Sequence, residues 1–546
     1  VVSNTRETKK EKVDETTTHW TFKKTKPFST YIWALHAGPY HVWHDNSTDI
    51  PLRLFSRKTM ANYVQPDAWF RWTKQGFEFF NNYFDYPYPY EKYDQLIVPD
   101  FNAGAMENVA AVTFSERYLK RGEYSRAAQR RIASVLFHEM AHMWFGNLVT
   151  MKWWNDLWLN ESFATYMSAL ALSEASEFKE AWQYFHGRKR WAYTEDQRST
   201  THSITTTVDD TSQAFSNFDG ITYGKGAATL KQISFYLGAD NFKAGVRRYF
   251  KEHAEKNTEL EDFMRSLVEA DTSRPLAEGN SSTRQSAGHD NSEKTRSKNL
   301  NSTKKHSSKR SISTAELEQW KKLWLKTPGV NTLSVDFKCS SESPATVSEL
   351  TIYQKSPVDY PFLRPHSVEI AFLYNVKRKI RVLKTQKVRI QANKNTIPQA
   401  VGMTCPDLVF PNFGDQGYVK VHLDNRTLNQ LKTDIDAIED TFVRHLFWHS
   451  LWEMVRDTEI SIWDYSEIAI KSLKKEDDLI VLAQILRAMI GRSSMSNSIL
   501  YYAKQYADFH SPTNHRPANH RPISQKQANQ RQANHRPTSH TQDNRN

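Results

Sequence analysis

Two histidines four residues apart, with a carboxylate directly after the first, occur at His138, Glu139 and His142 in the stretch FHEMAHMWF. Side chains at i and i+4 lie on one face of an α-helix, so both imidazoles can point at a common centre. Neutral imidazole is a good zinc ligand, and a catalytic zinc takes three protein ligands together with a water molecule. Glu161 can supply the third ligand if a second helix, beginning near WLNE, returns to the first.

Glu139 follows His138 directly, so its side chain cannot reach the point on which the two histidines converge. It is placed to act as a general base on the metal-bound water instead. A divalent cation lowers the pKa of bound water to about 7. The pattern therefore predicts hydrolysis of an amide by a metal-activated water. The alternative is a pair of ordinary core histidines, and the spacing alone does not exclude it.

The oxyanion formed during amide hydrolysis needs a second electrophile beside the metal. Tyr223, in the stretch GITYGKGAA, has a phenol that can donate one hydrogen bond to it. On spacing alone, a core position is the simpler interpretation of Tyr223, because the chain contains 24 tyrosines.

The elements that must position these residues can be predicted from periodicity. A long helix is expected to open near Ser125 and to run through the stretch 137–164, with helical patterns continuing to about residue 270. Upstream, aromatic residues at helical intervals predict another helix, and the apolar run at 96–98 predicts a strand. The segment NAGAMENVAAVTF, which lies between this strand and the long helix, is expected to be a loop.

The remainder of the chain changes pattern several times. Alternating apolar residues such as Leu333, Val335 and Phe337, and again Val368, Ile370 and Phe372, predict strands of a β-sandwich. The helical period returns with Leu428, Leu431, Ile435 and Ile438 on one face. The predicted order of domains is a remnant of an N-terminal β domain (1–58), a catalytic domain (59–270), a disordered insertion (271–313), the last catalytic helix (314–327), a β-sandwich (328–424), a partial α-helical domain (425–503) and a disordered repetitive tail (504–546).

The formal charge of +12 suggests an anionic partner at first sight. Its distribution argues against one, because residues 271–313 carry nine Lys/Arg against four Asp/Glu, and residues 504–546 carry seven against two. These segments have few aromatic residues between the charges, so specific nucleic-acid binding is not expected. They cannot offset their ordering entropy by burial, which is why we expect disorder.

Cys339 and Cys405 are the two cysteines of the chain. One bridge between them is possible, but a disulfide framework is not, which favours a reducing compartment. No apolar run is long enough to span a bilayer, and the first twenty residues have no signal-peptide core. The sequence therefore predicts a cytoplasmic protein without a membrane partner.

The combination of HEMAH, LNE at this spacing, GAMEN upstream and ITYGKGA downstream resembles the M1 family of zinc aminopeptidases, closest to the bacterial aminopeptidase N type. The similarity covers residues 30–270 and 314–500. It implies a multidomain α+β fold: a thermolysin-like zinc catalytic domain flanked by a partial N-terminal β domain, a small β-sandwich and the start of an α-helical domain. The resemblance assigns one Zn²⁺ to His138, His142 and Glu161, the general base to Glu139, and the oxyanion contact to Tyr223.

The GAMEN motif implies the substrate-binding residues. Glu107 matches the glutamate that holds the free α-amino group of the substrate, and a fixed carboxylate can pair with an ammonium in a largely dry cleft. Gly104 and Ala105 have small side chains, which lets a peptide approach their backbone closely. Met106 and Asn108 complete the motif. Taken alone, the segment also fits an edge strand with a Gly-Ala turn.

The chain also departs from the family pattern. A second acidic contact to the substrate amine, expected from a complete N-terminal domain, has no matching motif, and only the first helices of the C-terminal domain are expected. The resemblance thus predicts a truncated relative that hydrolyses the N-terminal bond of peptides with a free N-terminus. The alternative is an inactive zinc-binding remnant that serves as a structural or interaction module.

Overall fold

The computed structural model describes residues 1–272 and 313–490. The predicted disordered segments 271–313 and 504–546 lie almost entirely outside this part of the chain. The strands are β1 (Val2–Ser3), β2 (Glu7–Lys12), β3 (Thr18–Phe22), β4 (Leu35–His36), β5 (Tyr40–Asp45), β6 (Leu52–Arg57), β7 (Tyr93–Val98), β8 (Ala105–Met106), β9 (Ala111–Ser115), β10 (Val149–Met151), β11 (Lys256–Thr258), β12 (Thr332–Cys339), β13 (Val347–Lys355), β14 (His366–Val376), β15 (Lys379–Ile390), β16 (Lys394–Thr396), β17 (Leu408–Phe410) and β18 (Lys420–His422). The helices are α1 (Pro66–Phe84), α2 (Arg126–His142), α3 (Leu157–Ala175), α4 (Ala181–Asp196), α5 (Thr211–Ser216), α6 (Gly226–Leu237), α7 (Ala239–His253), α8 (Leu260–Thr272), α9 (Thr314–Leu325), α10 (Asn425–Asp434), α11 (Thr441–Arg456), α12 (Ile462–Ser472) and α13 (Leu479–Ile490).

A five-stranded sheet with the order β5-β6-β7-β9-β8 lies beside the first helices. Strands β6, β7 and β9 are parallel, and β8 is an antiparallel edge strand on β9. The expectation of a loop between residues 102 and 114 is therefore wrong in part, because the segment contains β8 and the start of β9. All of β9 is buried, and its apolar run Ala111–Val112 is what a fully buried strand requires.

Helices α1 to α4 and α6 to α9 pack on this sheet around one large apolar core. Pro66 opens α1, and seven aromatic residues of this helix are buried: Trp69, Phe70, Trp72, Phe77, Phe80, Tyr83 and Phe84. The predicted opening of the next long helix is confirmed, since the Ser125 hydroxyl accepts from the backbone N–H of Ala128 and caps α2. This core holds α2 and α3 side by side.

Two further sheets, β16-β13-β12-β18 and β15-β14-β17, pack face to face. Their shared core contains the residues with period two, among them Leu333, Val335, Val368 and Ile370, while Phe337 is only partly buried against it. A disulfide joins Cys339 at the end of β12 to Cys405 in the segment before β17. The two cysteines thus form the single bridge that the sequence allowed.

Helices α10 to α13 form a third core together with β14 and β17. Leu431, Ile435 and Ile438 are buried there and Leu428 is partly buried, although α10 ends at Asp434 and a short 3-10 turn carries Ile435. Among the described residues, no helix is both long and apolar enough to cross a membrane.

Candidate metal centre and active site

Helix α2 presents three of the predicted residues near its C-terminal end. The Nε2 atoms of His138 and His142 lie 3.2 Å apart, and the two rings are nearly perpendicular with centroids 4.7 Å apart. His142 is fully buried, whereas part of His138 remains accessible. The helical spacing therefore places two ligand nitrogens at one point, as the sequence predicts.

Glu161 comes from the first turns of α3, a helix that is buried almost all round. Its Oε2 atom lies 3.2 Å from Nε2 of His138 and 3.7 Å from Nε2 of His142. Two donors bound to one tetrahedral zinc at about 2.0–2.1 Å would be roughly 3.3 Å apart. The three ligand atoms therefore have the separation that a shared metal ion requires, and this cluster could bind one.

The remaining ring nitrogens are held by protein groups. Nδ1 of His142 lies 3.1 Å from both the Phe145 carbonyl oxygen and Oδ1 of Asn160, and Nδ1 of His138 lies 3.4 Å from the Thr165 hydroxyl. Two acceptors at Nδ1 of His142 require a hydrogen there, so Nε2 is the ring nitrogen that could bind a metal. Metal-binding histidines are usually oriented in this way.

The electrostatics of the cluster favour a cation. Burial would lower the pKa of His142, but the carboxylates of Glu107, Glu161 and Glu139 raise this pKa to about 10. Burial lowers the pKa of His138 to about 4. Burial would likewise raise the pKa of Glu161, but its hydrogen bonds with both histidines lower it. Without a metal, the buried negative charge is compensated by a proton on His142, which a metal ion would displace.

Glu139 lies beside the ligand set without entering it. Its carboxylate forms a second group with Glu107 and His142, whose nearest ligand-type atoms all lie within 4.8 Å of one another. Burial raises the pKa of Glu139 well above its ordinary value, Glu107 and Glu161 add to the effect, and His142 opposes it. The side chain is thus placed to accept and hold a proton at the centre.

The GAMEN segment runs along the edge of the five-stranded sheet and delivers Glu107 to the centre. The backbone carbonyl of Glu107 accepts from Nδ2 of Asn147 at 2.8 Å. Its Oε1 atom accepts from the Tyr31 hydroxyl and from Nδ2 of Asn160, each at 3.4 Å. The structure contains the edge strand of the alternative interpretation as β8, whereas the role of Glu107 as an amine anchor stays a prediction.

The other GAMEN residues have partners of their own. A Cβ atom on Gly104 would lie 2.8 Å from the Tyr118 hydroxyl, so a larger residue would require the ends of the neighbouring side chains to move. Ala105 and Met106 are half-buried in β8. Asn108 donates to the Trp33 carbonyl and accepts from the Thr113 hydroxyl, so both ends of its amide hold the protein together. Substrate contact by these four residues stays a prediction.

Tyr223 lies in a short π-helical turn, Ile221–Lys225, of the kind that often occurs at functional sites. Its ring stacks on His138 with centroids 6.2 Å apart. Asp219 anchors the turn by accepting from the backbone N–H groups of Ile221 and Thr222. Burial and nearby carboxylates raise the pKa of Tyr223 well above its ordinary value, so the phenol stays protonated and can donate.

Three residues of this site escaped the sequence analysis: Tyr31, Asn160 and Thr165. Asn160 directly precedes Glu161, and that adjacency was an available signal. Thr165 lies one helical turn after Glu161 on α3, which also could have suggested a role. Tyr31 lies in the segment interpreted as a domain remnant, and no local pattern connects it to Glu107.

Comparison with known families agrees with this geometry. Residues 70–280 match the peptidase family M1 domain, and residues 408–510 match the ERAP1-like C-terminal domain. The chain therefore contains an M1 peptidase domain, of mixed α/β content, followed by a helical C-terminal region. The family resemblance drawn from the motifs is confirmed.

Curated relatives have related names. The chain is 36% identical to aminopeptidase N of Streptomyces lividans over 86% of this chain and 51% of the relative. It is 37% identical to glutamyl aminopeptidase of Bitis rhinoceros over 47% of this chain and 28% of the relative. It is 39% identical to leucyl aminopeptidase of Saccharolobus solfataricus over 45% of this chain and 32% of the relative. The chain thus spans about half the length of the first of these relatives and a third or less of the others.

Proposed function

We propose that this chain is a zinc metallo-aminopeptidase that hydrolyses the first peptide bond of peptides with a free N-terminus. One observation carries the proposal. The ligand atoms of His138, His142 and Glu161 converge, and the Glu107 carboxylate lies within 4.8 Å of the His142 and Glu139 ligand-type atoms. Metal ligands, a proton acceptor and an anchor for a cationic group are therefore adjacent in one buried centre.

The position of Glu107 restricts the substrate to an N-terminal residue. In a peptide, the α-amino nitrogen is separated from the carbonyl carbon of the same residue by a single Cα atom. An ammonium paired with Glu107 consequently brings that carbonyl to the neighbouring metal ligands. A carboxylate inside a buried site pairs strongly with an ammonium because the charge-assisted hydrogen bond has little competition from water.

Glu139 and Tyr223 complete the chemistry. A bound zinc would polarise the carbonyl and lower the pKa of a water molecule to about 7. Glu139 accepts the proton of the attacking water and passes it to the leaving amine. The Tyr223 phenol, kept protonated by its surroundings, donates a hydrogen bond to the developing oxyanion.

The relatives support the same reaction class, since the three named above are all aminopeptidases. Nothing in the geometry distinguishes a preferred first residue. Disulfides such as Cys339–Cys405 persist mainly in oxidising compartments, which argues against the reducing compartment predicted from the cysteine count.

An aminoacyl-reporter assay with metal content measured in parallel tests the proposal. The chain should bind one zinc and release reporter from a free aminoacyl group but not from its N-acetylated form. Glu139→Gln should keep the zinc and lose activity by about 10²–10⁴-fold, the usual contribution of a general base. Full activity in that variant would exclude the mechanism. Bound zinc with no reporter release by the unaltered chain would instead support the inactive remnant.

A further inference from the structure

We propose that Asn160 is a positioning residue that serves the metal ligand His142 and the amine anchor Glu107 at once, a role that rests on the proposed function. Asn160 lies in the first turn of α3 and is buried. Its Oδ1 atom lies 3.1 Å from Nδ1 of His142, and its Nδ2 donates to Oε1 of Glu107 at 3.4 Å. One amide therefore bridges the two functional halves of the site.

The orientation of the amide follows from the chemistry of its neighbours. His142 turns Nε2 towards His138 and Glu161, so the hydrogen on its ring is carried by Nδ1. Of the two polar atoms of the Asn160 amide, only the oxygen can accept that hydrogen. The NH₂ group must then face Glu107, which as a carboxylate can only accept.

The surrounding backbone leaves room for this bridge. Gly146 has φ +123°, and a Cβ atom there would lie 2.4 Å from Oδ1 of Asn160 and 3.4 Å from Nδ1 of His142. A side chain at position 146 would thus fill the space in which the Asn160–His142 contact forms. The turn after α2 is shaped around this contact.

The choice of asparagine over aspartate has a physical reason. Carboxylates are common second partners of metal-binding histidines, and an aspartate could accept from His142 equally well. It would also place a second carboxylate against Glu107, and two adjacent like charges repel each other. The amide instead donates a hydrogen bond to Glu107. Nδ2 of Asn160 and the Tyr31 hydroxyl both donate to Oε1 of Glu107, so Oε2 can accept from the substrate ammonium.

Two substitutions separate the two roles. Asn160→Asp keeps the acceptor for His142 but removes the donor to Glu107 and adds charge, so zinc affinity should stay within a few-fold of the unaltered chain. Affinity for L-leucinamide at saturating zinc, measured by calorimetry, should fall at least about tenfold. Asn160→Ala removes both contacts and should lower zinc affinity by about 10–100-fold as well.

The controls keep this test independent of catalysis and of folding. Asn393→Asp adds the same charge at an exposed turn of the β-sandwich and should change neither affinity. Glu107→Gln should itself weaken leucinamide binding, and in that background the further loss caused by Asn160→Asp should be much smaller than in the unaltered chain, because the carboxylate that the new aspartate would repel is gone. Thermal unfolding of each variant shows whether it is folded.

Three results would overturn the inference: unchanged leucinamide affinity in Asn160→Asp, equal zinc loss in both variants, or an undiminished effect in the Glu107→Gln background. A different result would exclude the proposed function. It is a zinc-loaded chain that binds leucinamide but releases no reporter from an aminoacyl substrate.

Discussion

Two sets of buried histidines occur in the described chain, and the surroundings of their ring nitrogens differ. In the metal centre, His138 and His142 direct Nε2 atoms at each other across 3.2 Å, with Glu161 beside them. Between α4 and α11, His186 packs edge-to-face against His445 and His449, with ring centroids 4.8 Å and 4.6 Å apart. The second set, which we call the interface histidines, joins the peptidase domain to the helical region.

Both sets contain a pair with i,i+4 spacing, since His445 and His449 are four residues apart on α11 just as His138 and His142 are on α2. Yet among the described residues, only the groups at the metal centre bring three ligand atoms within 4.8 Å of one another. At the interface, Nδ1 of His445 and both nitrogens of His449 have no hydrogen-bond partner among residues 1–272 and 313–490. Burial and helical spacing are thus shared, whereas convergence with a carboxylate is specific to the metal centre.

The nearby charges separate the two sets further. Carboxylates raise the pKa of His142 to about 10. Burial lowers the pKa of His449 to about 3; Glu453 opposes the effect, and Arg190, Lys189 and Arg456 add to it. A negative surrounding attracts a metal ion, while the interface histidines are packed as neutral aromatic rings.

Removing one histidine from each set should give the largest difference between them. His138→Ala should abolish stoichiometric zinc binding. This effect is larger than the roughly 100-fold loss of zinc affinity expected when a residue that hydrogen-bonds to a metal ligand is removed. His449→Ala should retain one zinc per chain. Metal analysis after dialysis checks both, and loss of zinc in His449→Ala would contradict the distinction between the sets.

A tyrosine stacked on each set gives a second, smaller test. Tyr223 stacks on His138, and Tyr193 stacks on His449 with ring centroids 5.3 Å apart. Tyr223→Phe should lower kcat by about 10²–10³-fold at unchanged zinc content, because one oxyanion donor is lost. Tyr193→Phe loses hydrogen bonds with Val419 and should lower the melting temperature without a comparable fall in kcat. Equal kcat losses in the two variants would argue against a catalytic role for Tyr223.

The contrast also explains what could be predicted from the sequence. The spacing of His138, Glu139 and His142 is local, so helix geometry alone predicts the shared centre, and Glu161 follows once a second helix is assumed. Tyr223 needed the family resemblance, because a single tyrosine carries no periodic signal. Asn160 was missed because its role depends on contacts with His142 and Glu107, which only the packing of α3 brings together.

The interface histidines were not predicted for the same reason. His186 and His445 are separated by 259 positions, and no local pattern joins them. The strand β8 was predicted only as an alternative to a loop, because its pairing with β9 is a tertiary contact, while Gly104 and its neighbours have the composition of a turn. Elements defined by local period were predictable, and those defined by a distant partner were not.

The smallest effect is expected in the pH dependence of stability, where the interface histidines should act. Burial lowers the pKa values of His186 and His445 well below the ordinary range. Arg190 on α4 contributes to both shifts, and Lys189 on the same helix contributes to that of His186. The unfolded chain, in which a histidine has its ordinary pKa of about 6.5, therefore binds more protons than the folded chain between that pH and the folded pKa. Stability present above pH 6.5 should be lost progressively as the pH falls.

Replacing His449 by leucine isolates one such group, since both its ring nitrogens lack hydrogen-bond partners and an apolar side chain leaves no new polar group unsatisfied. Between pH 7 and pH 5 the variant should lose about 2 kcal/mol less of the free energy of unfolding than the unaltered chain, as one histidine with a folded pKa of about 3 predicts. His19→Leu, at an exposed position in β3, is the matched control. Chemical unfolding at the two pH values measures the difference, and parallel curves for all three proteins would show that the interface histidines do not couple protonation to folding.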